Sequence, residues 1–253
     1  QTVGHLSAAA YFFARDLQHK LKVPIGLVTT AYGASTAEAW ISWDALKADP
    51  NLSFFLDSFQ TKLNKFHGDT AAITKYKMAR EKWKIDADKA KAEGKDPPRR
   101  PRNPDPVMDQ HNPTVLWNGM VAALVPYAIR GALWYQGESN VAYADEYEHL
   151  FSTMIKEWRE RWNKKNIPFY FVQIAAFGYS DLNAAARLRQ AQHDVMKHDK
   201  YSGIAVTIDL GNMKDIHYTH KKEAGERLAL MALAKDYNFT KIIYTGPESK
   251  KAI

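Results

Sequence analysis

Apolar and polar residues fall along this chain in blocks whose spacing changes repeatedly from helical to extended. From Ser7 to Leu17 the apolar positions recur at helical spacing, with Ser7 placed as the N-cap. Pro24 closes that region, and Ile25–Thr30 reads as a buried strand. Residues 32–35 are a turn around Gly33, and 36–47 a short irregular or helical piece. Residues 51–94 are mostly helical, amphipathic at first and densely charged from Lys82 to Lys95. Asp96–Pro106 holds five prolines in eleven residues, so it is an extended strap. Regular alternation then resumes. Helices are predicted over 118–127, 145–162, 182–198 and 219–237, and strands over 129–135, 168–174 and 202–209. The tail from Phe239 is a linker or the start of a further module.

Strands separated by helices of this length pair in parallel through crossovers. The expected fold class is α/β, a three-layer α/β/α sandwich. A single domain with a helical and proline-rich insertion at about 51–112 accommodates all 253 residues.

Composition narrows the chemistry. There are no cysteines, which excludes disulfides, thiolate zinc sites and cysteine nucleophiles. No run of about 18 apolar residues exists to span a membrane as a helix, and no signal peptide is visible. The chain has no initiator methionine and is expected to start inside a longer gene product. The net charge of +7 is local: residues 61–102 carry thirteen Lys/Arg against six Asp/Glu, and the remainder is neutral. That pattern describes a solvated insertion, not a nucleic-acid groove. His5, His67, His111, His149, His193, His198 and His220 lack the spacing of a metal site, so neither metal nor cofactor is expected.

The chemistry collects where predicted strands end, which is where ligands bind in open α/β sheets. Gln136, Glu138, Ser139 and Asn140 crowd the end of the strand 129–135, and Lys214, Asp215 and His217 follow the strand 202–209. His217 can act as a general base if another group fixes its tautomer, and Asp215 or Glu138 could do so. Gly33 could offer its backbone N–H to an oxyanion, and Gln136 a side-chain N–H. Ser139 invites a nucleophile-elbow reading, but the second glycine of G-x-S-x-G is replaced by Val141, which argues against it.

Several strings together resemble the sialate O-acetylesterase family. They are T-V-G-H from Thr2, P-I-G-L-V from Pro24, Gly33 through Trp40, W-N-G-M from Trp117, W-Y-Q-G-E-S-N from Trp134, P-F-Y-F-V-Q from Pro168, L-R-Q-A-Q from Leu188 and D-I-H from Asp215. That family belongs to the SGNH hydrolases and is related to acetylxylan esterases of carbohydrate esterase family six. The resemblance implies an SGNH or flavodoxin-like sandwich that deacetylates sugars by a serine mechanism. By resemblance His217 is the catalytic histidine, Asp215 and Glu138 are alternative third members, and Gly33 is the oxyanion glycine with Gln136 as helper. Trp40, Tyr135, Asn140 and Arg189 would contact the sugar. The family's nucleophile lies in a G-Q-S-N string upstream of T-V-G-H, and no such string occurs here. The serine and the first strand are therefore expected upstream of these residues, in an N-terminal part of the same gene product. The implied partner is an O-acetylated sugar or glycan, in a secreted or periplasmic setting. A catalytically silent carbohydrate-binding module is the rival reading.

Overall fold

The computed structural model describes Gly4, residues 6–67 and residues 69–247. Gln1–Val3 and His5, which carry most of the T-V-G-H string, lie outside the described residues, as does the end of the tail. In chain order the helices are α1 (Ala8–Leu21), α2 (Trp43–Ala48), α3 (Phe54–Phe66), α4 (Thr70–Ala92), α5 (Tyr147–Arg161), α6 (Leu182–His198) and α7 (Lys221–Asp236). The strands are β1 (Ala132–Trp134), β2 (Phe169–Val172) and β3 (Ser202–Ala205). The chain divides into two compact units, Gln1–Ala37 with Ala123–Ile253, and Glu38–Ala122.

The first unit is built on a parallel sheet of order β1-β2-β3. The two-residue period of β2 divides its side chains between the faces. Tyr170 and Val172 pack with Leu17 of α1 and with Leu228, Ala229 and Ala232 of α7. Phe169 and Phe171 meet the Phe151 ring of α5, at centroid distances of 5.9 and 4.9 Å. Helices thus cover both faces, giving the expected three layers. Burying a ring as fully as that of Phe151 contributes about 1.5–3 kcal/mol. Helices α1 and α7 lie close enough that a Cβ on Gly225 would stand 2.5 Å from the Ala9 carbonyl oxygen. Only glycine allows that approach.

Capping sets the helix starts. The Asp181 carboxylate accepts the Ala184 N–H at 2.8 Å and begins α6, and Ser7 caps α1 as expected. The strands are shorter than their apolar runs. One predicted strand is corrected: Ile25–Thr30 forms no ladder, and Val28 is 54% exposed. A strand needs a hydrogen-bonded neighbour, and among the described residues none pairs with this segment. The predicted helix 118–127 is broken into a π-helical turn (Trp117–Val121) and a 3₁₀ turn (Ala122–Leu124), with Pro126 beyond them.

In the second unit, α2 and α3 pack together, and the Asn112 side chain ties the end of the strap to α3. It donates to the Pro106 carbonyl at 2.8 Å and accepts from the Lys62 ammonium at 2.6 Å. Helix α4 has no buried residue. The Trp83 indole donates to the Pro98 carbonyl at 2.7 Å, fixing the strap along it.

Candidate active site

The loops that leave the carboxyl ends of β1, β2 and β3 lie together at one edge of the first unit, and the turn 33–37 joins them. Four polar side chains bring this about. The Gln136 amide donates to the Ser35 carbonyl at 2.9 Å and to the Asn140 side-chain oxygen at 2.6 Å. The same Asn140 oxygen accepts the Ala37 N–H at 2.9 Å. The Ser139 hydroxyl donates to the Ala34 carbonyl at 3.0 Å. Fully buried Gln192, from α6, accepts the Ile174 N–H at 2.9 Å and donates to the Gln136 carbonyl at 3.2 Å. Gly137 is needed in this turn because a Cβ there would sit 2.6 Å from the Ile174 side chain.

The loop after β3 is held from the other side. The Asp215 carboxylate accepts the backbone N–H of His217 at 2.8 Å. Tyr218 is buried, and its hydroxyl accepts from that of Tyr135 at 2.5 Å. The Lys221 ammonium donates to the Tyr135 hydroxyl at 2.7 Å and lies 3.8 Å from the centre of the Tyr218 ring. A cavity of about 370 Å³ opens in this loop, with Asp215, Tyr218 and His220 in its wall.

Glu138 links the two sides. Burial raises its carboxyl above the ordinary glutamate value, against the opposing pull of a backbone hydrogen bond and then of the charges of Lys221 and His217. Burial likewise lowers the Lys221 ammonium, against the opposing pull of Glu138 and Asp215. Tyr135, Tyr179 and Tyr218 are all raised, by burial first and with a contribution from the Glu138 charge. Glu138, His217 and Lys221 therefore share one electrostatic neighbourhood.

The structure brings Gly33, Gln136, Glu138 and His217 to this edge but redistributes their roles. Both N–H groups of the Gln136 amide are committed to protein acceptors, so it shapes the turn and has no free donor for an oxyanion. Asn140 is fully buried with its oxygen doubly used, which corrects its reading as a sugar contact. Trp40 is also buried, in the second unit, as a packed residue. The Tyr135 hydroxyl is taken up by Tyr218 and Lys221. Asp215 is bonded to the His217 backbone, and the His217 ring makes no hydrogen bond among the described residues. Gly33 is exposed, beside Ala34 at a φ of 55°. Arg189 is half-buried on α6 in electrostatic reach of Tyr179, and its guanidinium makes no hydrogen bond among the described residues.

Sequence reasoning missed Lys221, Tyr218 and Gln192. Lys221 carried a signal: a cation in the first turn of a helix opposes the helix dipole and calls for another reason to be there. Gln192 carried only its place in the L-R-Q-A-Q string, because an amide inside an amphipathic helix otherwise looks like any solvent-facing one.

A parallel α/β sandwich with its polar loops gathered at the strands' carboxyl ends places them where ligands bind in open α/β folds, and similarity to known proteins points to the carbohydrate esterases. Residues 111–234 match the family model for carbohydrate esterase, sialic acid-specific acetylesterase. The sialate O-acetylesterase of Rattus norvegicus is 28% identical over 271 aligned positions, covering 98% of this chain and 46% of the relative. The human sialate O-acetylesterase is 27% identical, covering 98% of the chain and 42% of the relative. A crystal structure of a novel carbohydrate acetylesterase from Xanthomonas citri superposes with a TM-score of 0.71 at 30% identity, covering all of this chain and 46% of that one. Over 98% of its length the chain is thus similar to sialate O-acetylesterases. It spans about half the length of the relatives it matches.

Proposed function

We propose that this chain supplies the acid–base and oxyanion parts of a serine carbohydrate O-acetylesterase, acting on O-acetylated sialic acid or an acetylated xylan-type glycan. The nucleophilic serine would come from a segment upstream in the same gene product. The observation that carries the reading is the convergence of the loops after β1 and β3 at one edge of the sheet, where Gln136 and Ser139 clamp the turn 34–37 and Tyr135 meets Tyr218.

In the proposed cycle the serine oxygen attacks the acetyl carbonyl carbon and passes its proton to His217. Glu138 orients the imidazole and balances the imidazolium, while the Gly33 N–H faces the oxyanion. Collapse expels the sugar oxygen, which takes the proton from His217. Water then attacks the acetyl-serine, gives its proton to His217, and acetate leaves as the serine is re-protonated. No metal or cofactor enters this cycle.

Three features support an external serine. The Ser139 hydroxyl is spent on the Ala34 carbonyl. The apolar segment 25–30 runs without a ladder partner among the described residues, and β1 pairs there only with β2. Thr36 Oγ1 is buried with no hydrogen-bond partner among the described residues, a rare condition that a further segment would relieve. A secreted or periplasmic setting goes with the proposed substrate and is checked by fractionating the producing cells.

The test compares p-nitrophenyl acetate and O-acetylated sialic acid turnover by the chain alone and by a polypeptide extended upstream through a G-Q-S-N string. The extended protein should turn over, and His217→Ala should cost it about 10⁴-fold or more. Robust turnover by the chain alone would show that the nucleophile is within it. Glycan binding by the extended protein without any turnover would favour the silent module.

A further inference from the structure

Helix α4 carries a cation on its half-buried face. Ile73, Tyr76, Arg80, Trp83, Ala87 and Ala90 are half-buried and fall three or four residues apart, which puts them on one side of the helix. The strap closes on this side at one level and stands off at another. At Trp83 it closes: the indole donates to the Pro98 carbonyl at 2.7 Å, and the Arg100 guanidinium lies 5.7 Å from the ring centre. Around Tyr76 and Arg80 it stands off, and a cavity of about 390 Å³ opens between the helix and Asn103 of the strap. That volume accommodates a small ligand.

The wall of this cavity is rich in donors and short of acceptors. The Arg80 Nε–H is buried and has no hydrogen-bond partner among the described residues, and such a group calls for an acceptor. Asn103 spends its side-chain oxygen on the Asp105 N–H at 3.1 Å, which leaves its amide N–H groups to donate. Lys77 and Lys84 add two ammonium groups. Glu81 is the wall's acid, and it is already taken: the Lys84 ammonium lies 2.9 Å from its carboxylate. That hydrogen bond first, and the Arg80 charge in lesser part, hold the Glu81 carboxyl below the ordinary glutamate value. Three cations against one acid leave the wall with a net charge of +2.

A guanidinium presents its N–H groups in a planar fork that matches a carboxylate. Tyr76 and Ile73 add an aromatic face and an apolar patch to the same wall, suited to the C–H face of a sugar ring. A bare inorganic anion has no use for that apolar part, whereas a carboxylate carried on a ring uses both. We propose that the cavity between α4 and the strap is a carbohydrate site for acidic sugars: it takes the carboxylate of a sialic or uronic acid unit on Arg80, with the pyranose ring against Tyr76. The site rests on the proposed esterase reading only for its use, which is to retain an acidic glycan on the enzyme. Binding itself needs no turnover.

The experiment is an NMR titration of the full chain labelled uniformly with ¹⁵N, read at the Arg80 Nε–H, assigned by its loss in Arg80→Met, and at the Tyr76 backbone amide. The probes are N-acetylneuraminic acid, its methyl ester, a glucuronic acid disaccharide and inorganic phosphate. One or both acids should shift the two resonances at millimolar concentration, and the tighter of them names the sugar. The methyl ester, which keeps the ring and loses the charge, should bind about tenfold more weakly than its acid, and so should phosphate, which keeps the charge and lacks the ring. Arg80→Met should weaken the acid by about tenfold or more at the Tyr76 amide. Lys82→Met removes the same charge from an exposed position outside the cavity and should bind as the parent does. Helix α4 buries no residue, so neither change threatens the fold. Resonances unmoved by tens of millimolar of both acids overturn the inference. So does an ester or phosphate that binds as tightly as the acids, or a loss in Lys82→Met equal to that in Arg80→Met. An extended protein that never turns over would sink the esterase reading and leave the binding result standing, and absent binding would leave the turnover test untouched.

Discussion

Replacing Gln192 by leucine isolates the hydrogen bonds that hold the site turn. The two side chains have similar volume, and position 192 is fully buried, so packing is largely conserved. What changes is the accounting of polar groups. The Ile174 N–H loses its 2.9 Å acceptor and, in a buried position, has no water to replace it. Such an orphan costs about 1–3 kcal/mol. The Gln136 carbonyl loses its 3.2 Å donor but keeps the Tyr147 hydroxyl at 3.3 Å, so its loss is small. The contact to the Val172 carbonyl is 3.4 Å and weak. The Ile174 amide therefore dominates, and the expected loss is about 1–3 kcal/mol, equivalent to roughly 2–12 °C in Tm for a unit of this size. Urea denaturation followed by tryptophan fluorescence gives the free energy. Hydrogen exchange at the Ile174 amide locates it, with protection falling there more than at Phe171 in mid-strand. A leucine variant as stable as the parent, with Ile174 equally protected, would refute the reasoning, because it would mean the Gln192 side chain was not a required acceptor.

Two further outcomes separate the roles of the polar turn residues. Glu138 has its folded value raised by burial, so its contribution to stability is present below the ordinary glutamate value and is lost as pH rises through the folded value. Glu138→Gln should therefore stabilise the fold at neutral pH by thermal denaturation, with the gain disappearing at acid pH, while the extended esterase loses about 10²–10⁴-fold in kcat. A Glu138→Gln protein less stable at neutral pH than at acid pH, each relative to the parent, contradicts this. Ser139→Ala removes one hydrogen bond to the Ala34 carbonyl and should cost about 1 kcal/mol by denaturation, with most esterase activity kept. Complete loss of acetyl-enzyme formation in that variant would mean the nucleophile had been misplaced.

Most of the fold was legible because its helices are amphipathic and capped. Helix α6 runs over the predicted residues 182–198, since Asp181 supplies the cap and the apolar face repeats without interruption. Strands were harder. The apolar run at 25–30 describes side chains suited to a sheet, but a sheet requires a neighbour that local sequence does not specify. The apolar run 129–135 likewise yields only Ala132–Trp134 as ladder, with Arg130 and Gly131 leading into it. Lys221 was missed because side-chain direction at a helix start is decided by tertiary neighbours, here Tyr135 and Tyr218.

The polar string after β1 illustrates why residue type locates a site better than it assigns roles. Gln136, Ser139 and Asn140 all have chemistry suited to substrate contact, yet each is spent on the turn 34–37, through Ser35, Ala34 and Ala37. Three interactions on four consecutive backbone positions leave that turn little freedom. An oxyanion donor works by being held in place before charge develops, since reorganisation during the reaction would cancel its benefit. Rigidity at 34–37 is thus what the proposed backbone donor at Gly33 would require, and Gln136, Ser139 and Asn140, whose types suggested an oxyanion helper, a nucleophile and a sugar contact, hold that turn. Glu138 is the exception in the string. Its electrostatic partners are His217 and Lys221, which belong to the loop after β3 and the start of α7. One turn therefore divides its side chains: three neutral ones fix the backbone at 34–37, and the half-buried Glu138 is left for the role proposed for it beside His217. The segregation follows from charge. A neutral amide or hydroxyl can be buried if its hydrogen bonds are made, whereas a carboxylate can be buried only where cations meet it. In this unit the loop after β3 and the first turn of α7 supply them.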